Sequence, residues 1–222
     1  MSKFAEIGYL VYDKLGLGSD DERFTIDHIL YLCGVWRAAL IKQYYRDAKR
    51  ELSSSNYQTI CVNLAYNGDC LSGSEMKSVE KIPNFIGIGT DNINIVPMGD
   101  RFNNNRWTMV SEDRFNFVGD NKWLRKIIYF TRATDGKLYV KSASPDFKYL
   151  QKVKIEGIFE DPAEAAKLAC DKDCNPCGDV MEQHFPLEDI LVPNLIDIVY
   201  SRLANDLYRP EDKKNDADSL SL

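Results

Sequence analysis

The run TIDHILYLCGVWRAALIKQYYRDAKRE, residues 25–51, decides the fold class. Ile26, Ile29, Leu30, Cys33, Trp36, Leu40, Tyr44 and Ala48 recur at three- and four-residue steps, which is one face of an α-helix. Lys42, Gln43, Arg46, Asp47, Lys49 and Arg50 fall on the opposite face. Thr25 can cap the N-terminus, Phe24 can staple against Ile29, and Asp27 sits where the helix dipole favours an anion. The spacing predicts a helix over 26–51, roughly 38 Å long at ~1.5 Å per residue, stopped by Ser53-Ser54-Ser55-Asn56. Gly34 in its middle costs ~1 kcal/mol against alanine, which a close neighbouring helix would explain.

On the N-terminal side, Phe4, Ile7, Leu10, Val11 and Leu15 trace a second helical face, closed by Gly16 and Gly18. On the far side of the chain, Asp161-Pro162-Ala163-Glu164 supplies an acidic N-cap, a proline at the first helical position and a glutamate three residues on. That helix is expected to reach about Cys170. After a loop over 171–184, the stretch Phe185 to Val192 turns helical, and Pro193 starts or kinks a last helix bearing Leu195, Ile196, Val199, Leu203 and Leu207. Residues 208–222 are mostly charged and small, so they form an extended arm.

Between these helices the grammar changes. Thr59–Val62, Ile93–Val96, Trp107–Val110, Ile127–Phe130, Leu138–Val140 and Val153–Ile155 are short β-prone runs separated by Asn67-Gly68, Asn103-Asn104-Asn105 and Asp135-Gly136. Asp135-Gly136 reads as a tight primed hairpin turn, and 111–124 as one short helix or an irregular connection. The plan is α+β: an amphipathic bundle of N- and C-terminal helices, an inserted antiparallel β-rich module, and an extended C-terminal arm. Its expected divisions are 1–56, 57–159, 160–207 and 208–222.

A chain of 222 residues, 44% hydrophobic and 28% charged, is neither disordered nor collagen-like. No apolar run approaches the ~20 residues of a membrane span, and no signal peptide opens the chain, so synthesis in the cytoplasm is expected. Six sparse cysteines are then expected to be reduced. Residues 101–156 hold twelve lysines and arginines against six acids, a local +6 in a chain of −6, which leaves −12 elsewhere. A basic module beside acidic helices suits head-to-tail contacts between copies or nucleic acid, with Lys122, Arg125 and Lys126 as candidate DNA contacts. Solubility of exposed strand faces explains the lysines equally well.

Catalytic chemistry is weakly represented. His28 and His184 are the only histidines, and His28 has no local acid or nucleophile to work with. Gly87-x-Gly89 lacks the third glycine and following helix of a phosphate loop and reads as a turn. Cys170-x3-Cys174-x2-Cys177, with His184 beyond, is the most metal-like set, since thiolates and imidazole are preferred zinc ligands. No second Cys-x2-Cys completes a known zinc ribbon, so a cysteine-containing surface loop is the favoured reading and no cofactor is expected. Tyr129, Tyr139 and Tyr149 among basic residues could stack single-stranded bases, but half-buried strand aromatics are the commoner case.

Four runs, in order, carry a resemblance: Ser55-Asn56-Tyr57-Gln58-Thr59-Ile60, Ile158 to Ala166, Phe185-Pro186-Leu187-Glu188-Asp189, and Tyr208-Arg209-Pro210-Glu211-Asp212. Together they resemble the head-to-tail connector, or adaptor ring, protein of crAss-like bacteriophages, over about residues 20 to 220. The resemblance implies a non-enzymatic virion protein: a homo-oligomeric ring, of twelve copies, between the capsid portal protein and the tail proteins. It also implies a wall of the DNA channel used in packaging and ejection, touching duplex DNA non-specifically and no membrane. Tyr208, Arg209 and Pro210 would anchor an arm that docks on the portal. The rival readings are a nucleic-acid-binding module on the basic β block and a zinc-stabilised interaction domain.

Overall fold

The computed structural model describes residues 2–16, 24–48, 53–66, 75–87, 93–97, 105–170 and 178–207. The first predicted helix is present as α1 (Phe4–Leu15), with Gly16 left-handed at its C-cap. The long helix is α2 (Ile26–Ala48); its expected last turn falls outside the described residues. Thr25 caps it as expected, accepting the His28 N–H on Oγ1 at 3.3 Å. The last helix is α5 (Val192–Leu207), so Pro193 lies in its first turn, where a missing N–H is harmless. These three helices pack on one another around Phe4, Ile7, Val11, Cys33, Leu195 and Val199, all fully buried. Lys14 and Asp197 add an ion pair between the first and last of them.

The insertion is a seven-stranded sheet. Its strands are β1 (Gln58–Tyr66), β2 (Glu75–Ser78), β3 (Ile93–Pro97), β4 (Arg106–Met109), β5 (Ile127–Arg132), β6 (Leu138–Lys141) and β7 (Lys152–Gly157), in the order β3-β7-β1-β2-β6-β5-β4. The nine-residue β1 joins its two halves, pairing with β7 over 58–63 and with β2 over 64–66. Ile60, Val62, Ile128, Phe130, Val140 and Val153 face a second core.

Three expectations need correction. The sheet is antiparallel except where β4 runs parallel to β5, because residues 110–126 cross back over the sheet, the length a parallel pairing requires. That crossover holds α3 (Glu112–Phe115). The hairpin between β5 and β6 is not a two-residue turn: Gly136 N–H reaches Ala133 C=O at 3.0 Å and Ala133 N–H reaches Lys137 C=O at 3.0 Å. With Gly136 at φ 81°, this is a three-residue loop closed by a left-handed glycine. Strand β2 was not foreseen, since Met76 is its one large apolar residue.

The helix expected from Pro162 is α4 (Pro162–Lys167), shorter than anticipated. Asp161 caps it, accepting from the Ala163 and Glu164 N–H groups at 2.9 and 3.0 Å. Its first residue explains Gly34: a Cβ there would lie 3.2 Å from Pro162 Cδ. The close neighbour is thus the tip of α4. Gly34→Val should therefore cost about 1–3 kcal/mol through overpacking, despite the better helix former. An unchanged urea midpoint would show that the two elements can separate freely.

Candidate assembly interface

One charged residue lies on the apolar face of α2. Cys33, Arg37, Ile41 and Tyr45 follow at four-residue steps and all are buried, Arg37 completely. Its guanidinium spends its donors on main-chain carbonyls: Nε to Pro186 at 2.6 Å, Nη1 to Phe159 at 2.7 Å and Nη2 to Asn56 at 3.1 Å. Burial pushes its pKa down to about 9, against the pull of Asp161, so it is charged at neutral pH. Asn56, Phe159 and Pro186 belong respectively to the first three runs that carry the family resemblance. Those runs are therefore the sockets of one side chain, which fastens the long helix to the start of the sheet, its end, and the approach to α5.

A second buried network adjoins it. Asn56 Nδ2 donates to Tyr45 Oη at 2.8 Å, and Tyr45 Oη donates to Glu188 Oε2 at 3.0 Å. The Glu188 N–H returns to Asn56 Oδ1 at 3.1 Å. Burial raises the Tyr45 pKa, and the carboxylate of Glu188 adds to the rise. Sequence reasoning missed Arg37; its position four residues from Cys33 and from Ile41 was the signal.

The surface carries two unlike features. Lys122, Arg125 and Lys126, the candidate DNA contacts, are all exposed on the segment that precedes β5. Between them Trp123 is 82% exposed, with Lys122 Nζ 5.2 Å from its ring centre, and Leu124 is exposed beside it. Asp120, just upstream, pairs with the buried Lys141 at 3.0 Å and anchors this segment to the sheet. At the other end of β5, a groove of about 820 Å³ runs between α2, α4 and the β5–β6 turn. Its apolar wall includes Leu30, Val35, Ala38, Ile82 and Met181, and Asp27, Glu160 and Glu164 stand among its acids.

Of the three candidate stacking tyrosines only Tyr149 is exposed, with Lys148 Nζ 5.0 Å from its ring centre. Tyr129 and Tyr139 are half-buried, and Tyr139 meets Phe115 edge-on at 6.4 Å while donating to Asp135 at 2.9 Å. His28 is exposed and stacks on Phe24 at 5.7 Å. The arm residues Tyr208, Arg209 and Pro210 lie outside the described residues.

The cysteine expectations change. Cys170 is joined to Cys61 in a disulfide spanning 109 residues, so it offers no thiolate to zinc, and the set with Cys174, Cys177 and His184 is not formed with this member. The cause is topological: Ile60 bridges Ala169, and Cys61 N–H donates to Leu168 C=O at 3.1 Å, which brings the neighbouring sulfurs together. Cys174 and Cys177 lie outside the described residues, and His184 bridges Lys3. Cys33 is free and buried, its thiol pushed up to about 12 by burial. Among the described residues no helix is long and apolar enough to cross a membrane.

Comparison with known proteins gives a consistent result. The family described as phage tail ring protein 2 matches residues 6–219. Ring protein 2 of Bacteroides phage crAss001 is 40% identical over 219 residues, covering 96% of each chain.

Proposed function

The chain belongs to the phage tail ring protein 2 family of the crAss-like phages, and from that premise we propose that it forms a homo-oligomeric ring joining the capsid portal to the tail. It is a structural component of a phage tail, and its place is the virion. The ring, of twelve copies, stacks beneath the portal, meets the next tail proteins below, and contributes a wall to the channel through which DNA is packaged and ejected. It works by shape and charge, without catalysis.

The observation that supports this most is the pairing of a rigid frame with unlike surfaces. Arg37 locks helices and sheet into one body, while a basic, apolar segment and an acid-lined apolar groove lie at opposite ends of β5. Unlike surfaces on one subunit produce head-to-tail contacts, which close into rings when the rotation permits. Light scattering of the chain with and without purified portal protein, followed by imaging, tests the reading. A ring that forms on the portal supports it; two independent monomeric species would refute it.

The arm over 208–222 is the proposed portal anchor, with Tyr208, Arg209 and Pro210 at its root. A charged arm that docks on the portal ties assembly to the presence of its template. Deleting 208–222 should abolish portal binding while leaving thermal unfolding unchanged. Undiminished co-assembly would remove the arm from the account.

The exposed Lys122, Arg125 and Lys126 favour one further reading, contact with the phosphate backbone. It predicts salt-dependent duplex binding that falls when all three are neutralised.

A further inference from the structure

We propose that the segment Lys122–Lys126 of one copy docks in the groove between α2 and α4 of the next copy, and that this is the contact that closes the ring. The inference rests on the ring reading above and names the surfaces that reading leaves open. Trp123 is 82% exposed, and a tryptophan held in water forgoes a large apolar burial that an interface restores. Lys122, Arg125 and Lys126 surround it with three positive charges and no acid.

The groove carries acids in excess, Asp27, Glu160, Asp161, Glu164 and Asp179 against Lys81, Arg132 and Lys167. Tyr31 and Val35, 63% and 48% exposed, form a stripe on α2 with Asp27 at the preceding four-residue step. Glu164 faces them from α4. Asp27 and Glu164 are exposed and lie in the first turns of their helices. An incoming basic segment would therefore bury an aromatic ring on an apolar floor and set its cations against the acidic rim.

The topology prevents one subunit from satisfying itself. Lys126 directly precedes Ile127 at the start of β5, whereas Arg132 and Gly136, at its far end and the turn beyond, line the groove. Six residues of strand hold the two surfaces about 17–20 Å apart. The complement of each is consequently found on a neighbour. Non-specific contact with duplex DNA is made to phosphates, which would use the three cations and leave Trp123 and Leu124 in water, and this favours the protein partner.

The test uses the full chain and native mass spectrometry over a concentration series, with and without purified portal protein. Trp123→Glu and Val35→Glu change exposed residues, and circular dichroism should show both folded. Each alone should weaken self-association at least about 30-fold, the loss expected of a hot spot. Mixed in equal amounts, they should form a one-to-one dimer and nothing larger, because only one intact pair of surfaces remains. Should Trp123→Glu fail to fold, the triple change of Lys122, Arg125 and Lys126 to alanine serves as the docking-defective partner in the same mixture. A wild-type ring together with a Trp123→Glu ring would leave the ring reading standing and overturn this pairing. Mixtures that stay monomeric would overturn it too, as would a variant that assembles normally but loses duplex binding. A wild-type chain that forms no ring even with the portal protein present would overturn both.

Discussion

Arg37→Leu should lower the unfolding free energy by about 4 kcal/mol, which in a chain of this length is roughly 8–16 °C in midpoint. The substitution removes three charge-assisted bonds and leaves the carbonyls of Asn56, Phe159 and Pro186 facing apolar side chains. Each buried carbonyl left unpaired costs about 1–3 kcal/mol, partly offset because no charge is then buried. Arg37→Lys should recover only part of the loss, since one ammonium cannot fork toward three carbonyls on separate segments. The damage should also be directional. Hydrogen exchange is expected to rise first at 56–58, 158–160 and 185–188, before α1 responds. Equal stability of wild type and Arg37→Leu in urea would show that the guanidinium is accommodated rather than stabilising.

The second large effect belongs to the unfolded state. Closing 109 residues of sequence with the Cys61–Cys170 bond restricts the unfolded chain by about 4–5 kcal/mol in the loop-entropy account. Cys61→Ser, or full reduction, should therefore lower stability by about 2–5 kcal/mol with little change in the folded structure. Non-reducing peptide mapping should recover the two cysteines as one linked peptide, while the buried Cys33 takes up alkylating reagent only after unfolding. Both residues alkylated in the native, unreduced chain would contradict the bond.

How far the sequence could be read depended on how local each determinant is. The helix over Phe4–Leu15 was legible to the residue because its apolar period and Gly16 cap are contiguous. The Asp161-Pro162 start of α4 was legible for the same reason. Six strands showed through β-branched and aromatic runs, while β2 did not, because Met76 alone cannot establish an alternation. The parallel β4–β5 pair and the disulfide depend on which distant segments meet, and no spacing reports that. Arg37 was missed: the apolar face read from the sequence ran through Trp36, Leu40 and Tyr44, and the carbonyl partners of Arg37 lie 19 to 149 residues away. The basic cluster at Lys122–Lys126 was legible as charge. Its pairing with exposed Trp123, and the groove at the far end of β5, required coordinates.

Imaging of purified virions by electron cryomicroscopy tests the central claim most directly. Copies of this fold are expected as a closed ring around the tail axis, next to the portal, with the sheet and helices of adjacent copies in head-to-tail contact. Virions that lack the chain, or that carry it anywhere as isolated single copies, would contradict it.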